Sequence, residues 1–520
     1  MTASGPVPPG FLLFPPDAPF PPLRTEEPAY FADLRLDHVV RAVTAGRDTY
    51  DLAPFFHTRL RHADQVSYRH EVLRDLESDQ LRTQVSSFAQ AMRETRAQLA
   101  QGRKLHDRHQ RQAWFRDAVD TYGAAVRRLR ADLEGADLRS RGFQSFRDYL
   151  AGYVDGAAFT QLCVEAATVA EALRSVHYTL HIKGSRVRVG RYDGQADYSN
   201  EVARTFEKFR QGAVKDHRVT FTQYLEMNHV EAQVVDRLAR LFPEVFDALA
   251  RFAEDQQDFL DAGVNAFDRE AQFYLSYLEY IHRLSTPRQP FCCPEVCATS
   301  KEVRAREAFD LALADTLCAE RPDGRAEVVG NDFHLQGPER LFVMSGPNQG
   351  GKTTFARMFG QLHHLAALGL PVPAREAKLY LCDDIFTHFE REEDITAHRG
   401  KLEDDLLRMR EILDRATSRS VVIMNESFTA TTLEDALLLG STILRQLIER
   451  DVLGVYVTFV DELASLGEAT VSMVSSVDPD DLVRRTFRIE RRPADGLAYA
   501  AALAEKYGLT YRRVKERVSR

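Results

Sequence analysis

The sequence predicts a two-part chain: a mainly α-helical section interrupted by a small β-hairpin, then an α/β domain built on a parallel sheet. Three observations carry this. From about Pro28 to Thr286 apolar residues recur at three- and four-residue spacing. Within that section, Val176 to Tyr192 alternates instead on either side of Lys183-Gly184-Ser185, the pattern of a hairpin. From about Glu302 short apolar runs alternate with helical patterns, as in a sheet of parallel strands.

A length of 520 residues allows two to four domains, and 44% hydrophobic with 28% charged residues is the composition of an ordinary soluble protein. The formal net charge is −9. That excludes a protein built mainly to coat nucleic acid, so any DNA contact must come from local basic patches. The stretch Gly5 to Leu23 is rich in proline and aromatics and reads as an extended arm. No charged-then-apolar leader opens the chain and no run of about twenty apolar residues occurs, so a cytoplasmic location without membrane contact is expected. Cys292, Cys293 and Cys297 cluster, but no second Cys or His knuckle follows, which favours reduced thiols over a metal site.

In the helical section the clearest patterns are Glu71 to Gly102, Gln110 to Leu133, Phe159 to Ser175 and His229 to Asp261. The hairpin at 176–192 either ties helices together or forms a tip that touches DNA through Lys183, Arg186, Arg188 and Arg191. The Arg-rich stretch from Arg93 to Arg147 is interspersed with acids, which fits a solvated helix face better than a nucleic-acid contact. In the α/β section the strand candidates are Leu341–Ser345, Ser420–Met424, Val455–Val460 and Arg484–Ile489. Helical patterns at Gly496 to Val518 close the chain.

One motif carries chemistry. Gly346-Pro347-Asn348-Gln349-Gly350-Gly351-Lys352-Thr353-Thr354 follows the apolar run Leu341 to Met344 and precedes a helical pattern, Phe355 to Leu368. That is the context of a P-loop. Its glycines let successive amide groups point at phosphate oxygens, and the following helix turns its positive end to the same anion. Lys352 is expected to reach the β- and γ-phosphates of ATP, and the Thr353 hydroxyl to ligate Mg²⁺. A second strand, Val421 to Met424, ends in Asn425-Glu426. Asn425 can accept a hydrogen bond from a metal-bound water without adding charge, and Glu426 is the candidate to orient the attacking water.

The loop with Pro347-Asn348 after its first glycine is similar to that of the MutS family. Further stretches resemble family landmarks in the same order: Asn331-Asp332, Val372-Pro373-Ala374, Asp384 to Thr387, Asn425-Glu426, Thr429 to Thr432, Thr458 with Glu462-Leu463, and Tyr499-Ala500 with Gly508-Leu509. More weakly, His57 to Leu60 and Tyr68 to Leu73 resemble the start of the family's helical core. The resemblance implies a Pro-rich arm at 1–29 and a helical core and lever domain at 30–296, with a clamp-like hairpin near 176–192. A P-loop ATPase domain would follow at 297–494, and a helical dimerisation element at 495–520. It places Asn331 among the ATP-binding residues and implies a homodimer that uses ATP and Mg²⁺ to move levers on duplex or branched DNA in repair or recombination. No segment before residue 30 could hold a mismatch-reading domain, so a relative without that domain is expected.

Departures from the family pattern cluster around catalysis. Asn425 replaces an aspartate, Phe459 a histidine that couples nucleotide state to the partner, and Val328 an aromatic that stacks on adenine. Where the family offers a serine to the partner's γ-phosphate, this chain reads His398-Arg399-Gly400-Lys401-Leu402, making Arg399 and Lys401 trans-acting candidates. These departures keep an alternative open, a nucleotide-gated clamp or scaffold that scarcely hydrolyses ATP and grips a protein rather than DNA.

Overall fold

A computed structural model describes residues 10–15, 22–184, 186–195, 201, 204–205, 226–320, 327–391, 400–478 and 481–494. The chain divides into two compact units. One comprises the described residues of 78–138 and 143–268, the other those of 9–77, 139–142 and 269–520.

The first unit is helical. Its centre is a hairpin of two long helices, Asp79–Lys104 and Arg108–Glu134. Each start is capped from the sequence: Ser78 Oγ accepts from Leu81 N–H, and Asp107 Oδ1 accepts from Gln110 N–H at 2.8 Å. Leu81, Val85, Phe88 and Met92 form one buried stripe, met by Val119, Tyr122, Val126 and Leu133 from the second helix. The preceding helix, Ala63–Leu76, ends with Glu77 as its C-cap, so the expected single helix from Glu71 to Gly102 is two. His229 to Asp261 likewise splits into His229–Leu241 and Pro243–Asp255, because Pro243 lacks the N–H that an unbroken helix needs.

Strands β1 (Tyr178–Lys183) and β2 (Arg186–Arg191) pair antiparallel, with Leu180 opposite Val189 and Ile182 opposite Val187. The register puts His181, Lys183, Arg186 and Arg188 on the other face. The base of the ribbon is tied down: Val189 packs with Phe242 and Leu238, and Arg191 donates to the Leu241 carbonyl while lying over the Phe242 ring. The tip stands free of that cluster, and Ile182 is 73% exposed.

The second unit holds two sheets. The larger has the order β12-β11-β6-β10-β9-β8. It comprises β6 (Leu341–Ser345), β8 (Ile385–Phe389), β9 (Val421–Asn425), β10 (Leu453–Val457), β11 (Thr470–Asp478) and β12 (Asp481–Arg491). All pairs are parallel except β11 with β12. The three central strands read Leu-Phe-Val-Met-Ser, Val-Val-Ile-Met-Asn and Leu-Gly-Val-Tyr-Val and are buried throughout, as a sheet covered on both faces requires. The expected strand at 455–460 begins two residues earlier. Gly454 belongs to it because a Cβ there would lie 2.1 Å from the Val422 carbonyl oxygen. A smaller sheet, ordered β3-β7-β4-β5, consists of β3 (Glu295–Cys297), β4 (Val303–Ala308), β5 (Asn331–Leu335) and β7 (Glu376–Tyr380).

Phe11, Leu12, Leu13 and Phe14 are buried in the second unit. Glu270 accepts from the backbone N–H groups of Phe11 and Leu12 at 2.9 and 2.6 Å, Tyr274 donates to the Leu12 carbonyl, and Arg69 Nε donates to that of Leu13. Burial pushes the Glu270 carboxyl up to about 7, against the pull of those amides. A carboxyl whose pKa is raised in the fold favours folding below its ordinary value of 4.5, and that contribution is lost as the pH rises through about 7. Thermal unfolding should therefore show wild type losing about 3 kcal/mol between pH 4.5 and 7 relative to Glu270→Gln. Parallel pH profiles for the two would remove Glu270 as the source. Among the described residues no helix is long and apolar enough to cross a membrane.

Candidate nucleotide site

Strand β6 ends at Ser345, the chain curls through 346–351, and the helix Lys352–Ala367 begins. The curl needs glycine where it turns left-handed: Gly346 and Gly351 have φ of +105° and +94°. Gly350 is needed for a different reason. Ser475, on β11, lies so close that a Cβ on Gly350 would sit 2.1 Å from its hydroxyl oxygen. That hydroxyl donates to the Gly350 carbonyl at 2.7 Å, so a neighbouring strand braces the loop from behind.

Lys352 is buried and folds back over the loop. Its ammonium donates to the Gly346 and Pro347 carbonyls at 2.7 and 3.1 Å and to Asn348 Oδ1 at 3.4 Å. Burial lowers its pKa, with Glu426 opposing the shift. An anion arriving at the loop would supply the charge that this ammonium lacks.

Thr353 and Asn425 meet, with the Thr353 hydroxyl donating to Asn425 Oδ1 at 2.9 Å. The pair brings together two neutral oxygen ligands beside the phosphate loop. That donor set suits Mg²⁺, which takes oxygen ligands, keeps several waters and relies on substrate phosphates for charge. Glu426 follows at the end of β9 in the left-handed region, φ +52°, with its N–H bonded to the Val457 carbonyl at 2.9 Å. A non-glycine residue there costs of order 1–3 kcal/mol and persists because its surroundings hold it.

Loop residues 348–354 and Glu426 line a cavity of about 650 Å³, whose other walls include the apolar Leu313, Leu317, Val328, Val329 and Phe487 and the acidic Glu327. Asn331 also lines it, but its amide is engaged. Oδ1 accepts from Ile489 N–H at 2.7 Å and Nδ2 donates to the Phe487 carbonyl at 3.2 Å, which fixes the Phe487 ring at the cavity. Phe487, with Ser475, was not singled out by the sequence; both lie on strands more than 120 residues beyond the loop.

The remaining candidates lie elsewhere. Lys401, the first residue of the helix Lys401–Arg415, is paired with the Glu390 carboxylate, which also accepts from the Thr429 hydroxyl at 3.2 Å. Phe459 is half exposed in the stretch after β10. Arg399 and the element at 495–520 fall outside the described residues.

Residues 342–491 match the family model of MutS domain V. Endonuclease MutS2 of Thermus thermophilus is 30% identical over 217 residues, 40% of this chain and 29% of that protein. DNA mismatch repair protein MutS of Oleidesulfovibrio alaskensis is 32% identical over 162 residues, 31% of this chain and 18% of that protein. The corresponding protein of Thermotoga maritima is 32% identical over 138 residues, 26% and 17%. The matched stretch thus spans less than a third of these relatives' length. Residues 342–491 are thus similar to MutS domain V, and part of the chain is similar to MutS and MutS2 proteins.

Proposed function

We propose that this chain is an ATPase that couples ATP binding and hydrolysis to the grip of its helical part on duplex or branched DNA, in repair or recombination. The observation that carries the reading is the loop 346–354, with Thr353 bonded to Asn425 and Glu426 next in line. Amides of the loop and Lys352 would take the phosphates, and the apolar walls around Phe487 and Val328 would take the base. Thr353 and Asn425 would hold Mg²⁺, which when bound neutralises phosphate charge. Glu426 would orient the attacking water.

In this reading residues 30–296 are the lever part, 297–494 the ATPase and 495–520 the dimerising element. Two copies pair through the ATPase units, a reading supported by the exposed Leu433, Leu438 and Phe459. The pairing of Lys401 with Glu390 means that a trans role for Lys401 requires that ion pair to open first. The hairpin tip is the proposed DNA contact. Arg191 is held at its base, which leaves Lys183, Arg186 and Arg188 for phosphates.

A gel-shift panel of duplex, mismatched, single-stranded and four-way junction DNA, with and without ATP, tests the reading. Removing those three cations should weaken binding on every DNA and flatten its log–log salt dependence by about 2–3. No shift on any DNA would remove the DNA half of the proposal. A second reading, a nucleotide-gated clamp with little turnover, is favoured by the neutral Asn425 in place of an acid. Steady-state turnover with and without DNA separates the two.

A further inference from the structure

The turn that carries Glu426 is held by a buried chain of side chains that this mechanism has not yet used. The Ser427 hydroxyl oxygen lies 2.7 Å from His388 Nδ1, on the neighbouring strand β8. On its other side, His388 Nε2 lies 3.2 Å from the carbonyl oxygen of Asp405, in the helix Lys401–Arg415. All three residues are buried. A carbonyl can only accept, so Nε2 must carry the ring proton. Nδ1 is then an acceptor, and the Ser427 hydroxyl donates to it. Burial, aided by Arg408 and Arg391, lowers the His388 pKa to about 4, so the ring stays neutral and the direction of both bonds is kept.

The residues on either side of Ser427 explain why such a hold is needed. Glu426 and Phe428 have φ of +52° and +63°, both in the left-handed region that side chains avoid. Two left-handed residues flanking Ser427 would relax unless Ser427 were pinned. Ser427 supplies the pin, and Phe428 stacks on the same imidazole, with ring centroids 5.8 Å apart and planes at 26°. Two residues on, Thr429 is bonded to Glu390, which pairs with Lys401. Both ties run from the loop after Glu426 to the end of β8 and the start of the helix Lys401–Arg415.

We propose that His388 is a positioning residue for Glu426: through the Ser427 hydroxyl it fixes the turn that presents the carboxylate to the nucleotide cavity, and through Asp405 it links that presentation to the helix Lys401–Arg415. The inference rests on the reading of Glu426 as the group that orients water. It concerns placement and not proton transfer, since His388 does not line the cavity.

The test uses the full chain with Ser427→Ala, His388→Phe and His388→Asn, each alone and combined with Glu426→Ala. ATP affinity and single-turnover hydrolysis are measured side by side. Ser427→Ala and His388→Phe should bind ATP within about threefold of wild type and cleave it roughly tenfold or more slowly, the scale of a displaced catalytic group. His388→Asn should recover most of the rate, because its amide oxygen can accept from Ser427 where Nδ1 did. In the Glu426→Ala background, Ser427→Ala should add no further loss, which a purely structural role would not produce. Rates within twofold of wild type for Ser427→Ala, or losses that add to that of Glu426→Ala, overturn the inference while leaving the role of Glu426 intact. A Glu426→Ala chain that hydrolyses ATP like wild type instead removes the underlying reading. Should His388→Phe fail to fold, Ser427→Ala, which deletes a single oxygen, decides the matter alone.

Discussion

Replacing Lys352 by alanine is expected to abolish ATP hydrolysis and to weaken triphosphate binding by about 10–150-fold, while the chain stays folded. The affinity figure follows from losing one charge-assisted hydrogen bond set, worth about 1.5–3 kcal/mol. The fold should survive because what braces the loop is Ser475 and the three glycines, not the ammonium. Lys352 now donates to the Gly346 and Pro347 carbonyls, which water can satisfy in its place. Binding of a labelled ATP analogue and a thermal melt, run together, check both halves. Unchanged nucleotide affinity in a folded variant would remove the phosphate-binding role from this loop.

What the sequence made legible was local. The loop announces itself because positive φ at Gly346 and Gly351 demands glycine within six residues of a buried strand and a helix start. The hairpin was visible because strict alternation around Lys183-Gly184-Ser185 has no helical reading. Helix ends were legible in principle from Ser78 and Pro243, but a long apolar period outweighed a single cap or proline in the reading. Strand β10 starts ahead of the expected Val455 because Gly454, having no Cβ, lets the strand pass the Val422 carbonyl.

What stayed hidden is reached only through the folded chain. Ser475 lies on a strand, Thr-Val-Ser-Met-Val-Ser-Ser-Val-Asp, whose consecutive serines blur the alternation that marks a strand. Only the space behind Gly350 shows what it does. The burial of Phe11 to Phe14 is not visible in a proline-rich segment that reads as an extended arm; their partner Glu270 is about 260 residues away in sequence. Phe487 illustrates the same limit. Its place beside the nucleotide cavity depends on Asn331, which the family resemblance offers as a binding residue and which lines the cavity while bonding to β12.

Glu426→Gln and Glu426→Ala are expected to keep ATP binding and to lose hydrolysis by at least about a hundredfold, trapping the nucleotide-bound state. The size follows from the usual contribution of a group that positions or deprotonates water, roughly 10²–10⁴-fold. Affinity should be equal or slightly tighter, because the carboxylate shares the cavity with Lys352 and repels the incoming triphosphate. Glutamine is the cleaner variant. It keeps the side-chain bulk and the same left-handed backbone, so lost rate reports the carboxylate and not a relaxed turn. The neutral Asn425 sharpens the test: with no second carboxylate at the end of β9, any base or water-orienting charge there must come from Glu426. Single-turnover cleavage beside equilibrium binding decides it. Cleavage above about a tenth of wild type in Glu426→Gln would show that water is positioned by another group.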